Sequence, residues 1–111
     1  MKEQQFTINR GQGFSITFNN GVTVSVQFGP FNHCNNKDLD IDLTNYKKHD
    51  VPNDRYSCDN AEVAIFNNKG WLTKEYKDEG DDVLSHIEPD EVAEIIQWCI
   101  NYKEDGGVPN E

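Results

Sequence analysis

The densest concentration of acidic side chains lies between residues 75 and 94. Glu75, Asp78, Glu79, Asp81, Asp82, Glu88, Asp90, Glu91 and Glu94 are opposed there by Lys77 alone. Carboxylates so grouped can form a negative face that draws a basic partner over a distance, in binding that salt weakens. A solvated surface, with acids at the positive end of a helix dipole, accounts for the same residues without any partner. Asp78, Glu79, Asp81, Asp82, Asp90, Glu91 and Glu94 are the candidate partner-binding set.

Other groupings carry less chemistry. Asp38, Asp40 and Asp42 have the spacing of the first ligands of a calcium loop. Leu43 stands where that loop needs glycine, however, and no glutamate follows at the twelfth position. Alternation with Leu39, Ile41 and Leu43 explains the spacing better, as the wet face of a short strand. His33, Cys34, His49 and Cys58 are zinc-type ligands that lack paired spacing. His33 beside Cys34 is no dyad, because such partners meet in space rather than in sequence. His86 reads as a residue approaching a helix rather than a general base. Gly11-Gln12-Gly13 lacks the rest of a nucleotide fingerprint and reads as a turn. No G-x-S-x-G or catalytic carboxylate pair stands out. These residues predict neither an enzyme nor a bound metal or cofactor. Phe31, Asn32 and His33, with the open face of the expected sheet, form a second candidate site, since aromatic and amide groups beside a turn suit a base or a sugar.

Twenty acids against ten bases give the 111 residues a net charge of −10. That charge disfavours direct binding to nucleic acid or anionic lipid, and favours a basic protein partner or cations. Hydrophobic residues make up 35% of the chain, which is lean. Six Phe, four Tyr and two Trp within alternating runs nevertheless indicate a packed core. Three cysteines, an odd number, suit a reducing compartment. No apolar run reaches the roughly 20 residues of a membrane span, and MKEQQFTINR lacks a signal-peptide core. A cytoplasmic location and one domain over 1–111 are expected.

The elements that position these groups begin with a hairpin. Phe14, Ile16 and Phe18 alternate, as do Val22, Val24, Val26 and Phe28. A two-residue Asn20-Gly21 turn would throw the two apolar sets onto opposite faces. A three-residue loop, Asn19 to Gly21, opposes Phe18 to Val22, Ile16 to Val24 and Phe14 to Val26, with Gly21 as its left-handed residue. Gln5 to Asn9 is a further strand candidate. Residues 30–60 read as a long polar loop whose tip, 45–55, is predicted to be disordered. A second hairpin is expected from 61–66 and 71–76 around Asn67-Asn68-Lys69-Gly70, with its register undecided. Residues 81–87 read as a helical turn.

The clearest helix runs from Pro89 to about Tyr102, with proline at its first position and a flexible tail over 104–111. Val92, Ile95, Ile96, Cys99 and Ile100 make one face, which Trp98 and Tyr102 widen to an arc of roughly 200°. Such an arc implies either deep embedding or a covered Trp98–Tyr102 edge, a candidate homodimer contact. The expected fold is α+β. An antiparallel sheet of four to five strands is built from two hairpins, and the C-terminal amphipathic helix packs on one face.

The stretches GVTVSVQFGPFNHC, AEVAIFNNKGWL and DDVLSHIEPDEVAEII resemble small uncharacterised proteins encoded by tailed phages and prophages. The resemblance spans most of Phe14 to Ile100 and rests on hairpin and helix patterns. It implies no catalytic residues. It implies an accessory gene product acting in the host cytoplasm, of a kind that binds and blocks host proteins or sequesters host signals. The expected function is thus a non-enzymatic acidic protein that binds and inhibits a basic host protein, such as a nuclease or defence component. Small-ligand (nucleotide-like) binding and structural self-association are the alternatives.

Overall fold

A computed structural model describes residues 4–30, 32–38 and 57–104. The elements in chain order are β1 (Gln5–Ile8), β2 (Gly13–Thr17), β3 (Thr23–Gln27), β4 (Ala61–Asn67), β5 (Gly70–Trp71), α1 (Thr73–Tyr76), β6 (Leu84–Ile87) and α2 (Pro89–Asn101). They form an α+β fold. All strand pairs are antiparallel, in the order β1-β2-β3-β4, and β5 and β6 divide the far edge of β4 between them.

The β2–β3 hairpin has the register that parity requires. Phe14 lies opposite Val26 and Ile16 opposite Val24, and Phe18 N–H donates to Val22 C=O at 2.8 Å. Gly21 has φ +88°, the left-handed value that the three-residue loop demands. The turn over residues 9–12 also forms, with Gln12 N–H donating to Asn9 C=O. Gly13 belongs to β2 rather than to that turn, and a Cβ there would fall on the Val26 carbonyl.

Two elements differ from expectation. The return strand predicted over 71–76 stops after Trp71. Leu72 leaves the extended region (φ −117°, ψ 0°) and the chain turns into α1. The ladder is completed by a side chain instead. Thr73, fully buried, accepts the Ile65 N–H at its Oγ1 over 2.9 Å and lies 3.2 Å from the Ile65 C=O, to which it donates. Residues 84–87 are a strand, not a helical turn. Leu84 and Ile87 are three apart, a helical spacing, yet both are buried against β4. A bulge absorbs the extra residue. His86 takes φ +56° and gives its N–H to His33 C=O at 3.0 Å.

One sheet face carries Val24, Val26, Val63 and Ile65, all buried, and α2 covers it with Ile95 and Cys99. Val92, Ile96, Trp98 and Tyr102 are half-buried against this core. Ile100, expected on the same helix face, is 50% exposed, because it sits at the outer limit of the apolar arc. Of the polar loop over 30–60, the flanks 32–38 and 57–60 are stitched together by asparagines. Asn36 Nδ2 donates to Phe28 C=O and Ser57 C=O, and Asn60 Oδ1 accepts Asn35 N–H at 2.8 Å. The strand expected at 39–43, the disordered tip at 45–55 and nearly all of the tail over 104–111 lie outside the described residues.

Candidate functional site

The acidic residues come from two separate segments, the link after α1 and the start of α2. Lys77 joins them. Its Nζ lies 2.8 Å from Glu91 Oε2 and 3.9 Å from Glu79 Oε2. The Tyr76 hydroxyl also reaches Glu91 Oε2, at 3.2 Å. The hydrogen bond from Lys77 holds the Glu91 carboxyl below its usual range, against the opposing effect of burial. The same contact raises the Lys77 ammonium. Burial, then the hydrogen bond to Glu91, raises the Tyr76 phenol. Glu91, one of the residues assigned to partner binding, is therefore engaged within the chain and acts as the clip between the two acidic segments.

The remaining carboxylates face water. Asp78, Glu79, Asp81, Glu88, Asp90 and Glu94 are exposed, and Asp82 is half-exposed. Asp78 Oδ1 accepts Gly80 N–H at 2.9 Å and Asp81 Oδ1 accepts Asp82 N–H at 2.7 Å, which orders the link locally. Pro89 leads α2, so Asp90 and Glu91 sit in its first turn, at the positive end of its dipole. Glu75 Oε1 accepts the Tyr102 hydroxyl at 3.1 Å. Burial, followed by this contact, raises the Tyr102 phenol. No grouping of three or more His, Cys, Asp or Glu has metal-binding geometry among the described residues.

The Trp98–Tyr102 edge has an internal neighbour. Tyr76 of α1 meets Trp98 edge-on at 5.7 Å between ring centroids, and Trp98 lies 5.2 Å from Tyr102. At the proposed ligand loop, Phe31 lies outside the described residues. Asn32 is buried, its Oδ1 accepting Gly29 N–H at 2.9 Å and its Nδ2 donating to Glu62 at 3.0 Å. That amide supports the loop. His33 is exposed, with Nε2 3.8 Å from Glu62 Oε2. The thiols of Cys34 and Cys99 are buried. Burial raises Cys34 and pushes Cys99 up to about 12, so neither is a ready thiolate.

Two features were not anticipated, the reach of Asn20 and the partition of charge along the chain, whereas an open sheet face was expected as part of the ligand site. Asn20, in the hairpin loop, reaches the end of α2 and donates to Cys99 C=O at 2.8 Å and Tyr102 C=O at 3.2 Å. The sheet face away from α2 is open and hydroxyl-rich, with a depression of about 730 Å³ lined by residues including Thr7, Ser15, Thr17, Thr23 and Phe66. Charge is also partitioned along the chain, because residues 4–30 contain a single charged side chain, Arg10. That last signal was available in the sequence. No helix among the described residues is long and apolar enough to cross a membrane. Comparison with protein-family models, with curated proteins and with solved structures returned no match.

Proposed function

We propose that this chain is a non-enzymatic binding protein whose acidic surface, around Asp78–Asp82 and Asp90–Glu94, docks on a basic protein. One observation carries the reading. The only cation within the acidic run, Lys77, pairs at the surface with Glu91 and joins two acidic segments into one surface, while Asp78, Asp81, Asp90 and Glu94 face solvent. Long-range attraction from such a surface speeds encounter and selects against acidic partners. The natural target is a basic cleft of a nucleic-acid-handling protein. With the phage-protein resemblance, that target is a host nuclease or defence component in the host cytoplasm, which binding would block. Affinity capture from a host lysate should retrieve such a protein and lose it in high salt. The double charge reversal Asp81→Lys with Asp82→Lys should lose it as well. Retrieval indifferent to both changes would remove this surface from consideration.

A second reading rests on the open sheet face. Among the described residues the lining of the depression carries no charge, and its hydroxyls and amides suit a neutral sugar or nucleoside better than a phosphate. A thermal-shift screen with sugars and nucleosides decides it, since a true ligand raises the melting temperature. A screen with no shift at any concentration ends this alternative.

A further inference from the structure

We infer that β1 is a self-association edge, through which two copies of this chain join their sheets about a two-fold axis. Among the described residues the strand is outermost in the sheet, with β2 as its neighbour on one side. Phe6 and Ile8, at 82% and 79% exposed, are the most exposed large hydrophobic side chains among the described residues. Natural edge strands are blunted by charge, proline or a bulge. β1, with the sequence QFTI, carries none of the three.

Backbone direction selects the register. Asn9 N–H donates to Gly13 C=O, so residues 5, 7 and 9 turn their peptide groups toward β2. By alternation, the N–H and C=O groups of Phe6 and Ile8 point outward. An antiparallel pairing centred on Thr7 sets Phe6 of each copy opposite Ile8 of the other. It closes four inter-strand hydrogen bonds and places both apolar side chains on the same face. That face continues onto Phe14 and Ile16 of β2, half-buried and facing Ile8 and Phe6 across the sheet.

Charge identifies the occupant as a second copy. Two chains of net charge −10 repel wherever acidic surfaces meet. Residues 4–30, the first three strands with their turns, carry +1 in total, with no acid. Contact through this acid-free blade keeps the two acidic surfaces at the far sides of the assembly. Two-fold pairing of like edges is also self-complementary, as a closed homodimer requires.

Sedimentation equilibrium over a concentration series tests the inference. Wild type should dimerise, and added salt should leave the dimer unchanged or tighten it, because salt screens repulsion between acidic bodies. This is the opposite of the salt response expected for capture of a basic partner, so the two proposals can fail separately. Ile8→Pro removes one outward N–H per copy without touching the β1–β2 ladder, and should weaken the dimer about tenfold or more. Phe6→Lys, at a side chain 82% exposed, should do the same with an unchanged melt, and carries the test if Ile8→Pro does not fold. A wild type that is monomeric at every concentration overturns the inference. So does a dimer indifferent to both substitutions, or one abolished instead by Trp98→Ala.

Discussion

Asn20 ties the first hairpin to the last helix, and its replacement should separate two effects. Its Oδ1 accepts Val22 N–H at 3.1 Å, while its Nδ2 faces the carbonyls of Cys99, Tyr102 and Ile100 at 2.8, 3.2 and 3.4 Å. The helix end has no basic residue in its last turn, so this amide serves as its cap. An amide nitrogen has two protons, so at most two of the three carbonyls are bonded at once. At roughly 0.5–1.5 kcal/mol net per hydrogen bond, and with water able to reach the freed carbonyls, Asn20→Ala should cost about 1–2 kcal/mol. For a domain of this size that is a melting shift of roughly 5 °C or more. Asn20→Asp keeps the acceptor for Val22 but aims a carboxylate at the negative end of the α2 dipole, adding roughly 0.3–1 kcal/mol. Urea melts should therefore rank wild type above both Asn20→Ala and Asn20→Asp at neutral pH. An Asp variant as stable as wild type, or an Ala variant within about 0.3 kcal/mol of it, would refute the capping role.

Three further outcomes follow from the geometry. Gly21→Ala should destabilise by roughly 1 kcal/mol or more, because φ at this position is +88°; the check is a denaturant midpoint with unchanged slope. Thr73→Val keeps the shape of a fully buried side chain but orphans the Ile65 N–H, and should cost about 1–3 kcal/mol in the same melts. Glu91, whose folded carboxyl is held below its ordinary value of 4.5, contributes stability that is present above that pH and lost as pH falls through the folded value. Glu91→Gln should accordingly lower stability at neutral pH and flatten the acid limb of a stability-versus-pH curve, and a limb as steep as wild type would contradict the clip.

The first hairpin was legible because its apolar residues occupy one face, so parity alone chooses between a two-residue and a three-residue loop. The helix was legible from Pro89 and its apolar period. The shortened second hairpin was not, since the Thr73 hydroxyl replaces a ladder bond to Ile65 across a turn, a substitution that no periodicity signals. β6 was misread because Leu84 and Ile87 imitate a helical pair, and only the β4 edge, with a bulge at His86, makes them neighbours on one strand. The acidic run was plain in composition, but the pairing of Lys77 with Glu91 depends on how the end of α1 sits beside α2. Asn32 has a polar side chain beside a turn, the mark of a ligand contact. Its partners Gly29 and Glu62, which no sequence pattern signals, give it a role in holding the loop.

The central claim is that the acidic surface is the functional one, and the salt dependence of partner binding tests it most directly. With the protein captured from host lysate as ligand, log Kd of wild type should rise steeply with log salt, and Asp81→Lys with Asp82→Lys should weaken binding and flatten that slope. A slope near zero, or a charge-reversed variant that binds as tightly as wild type, would contradict the account.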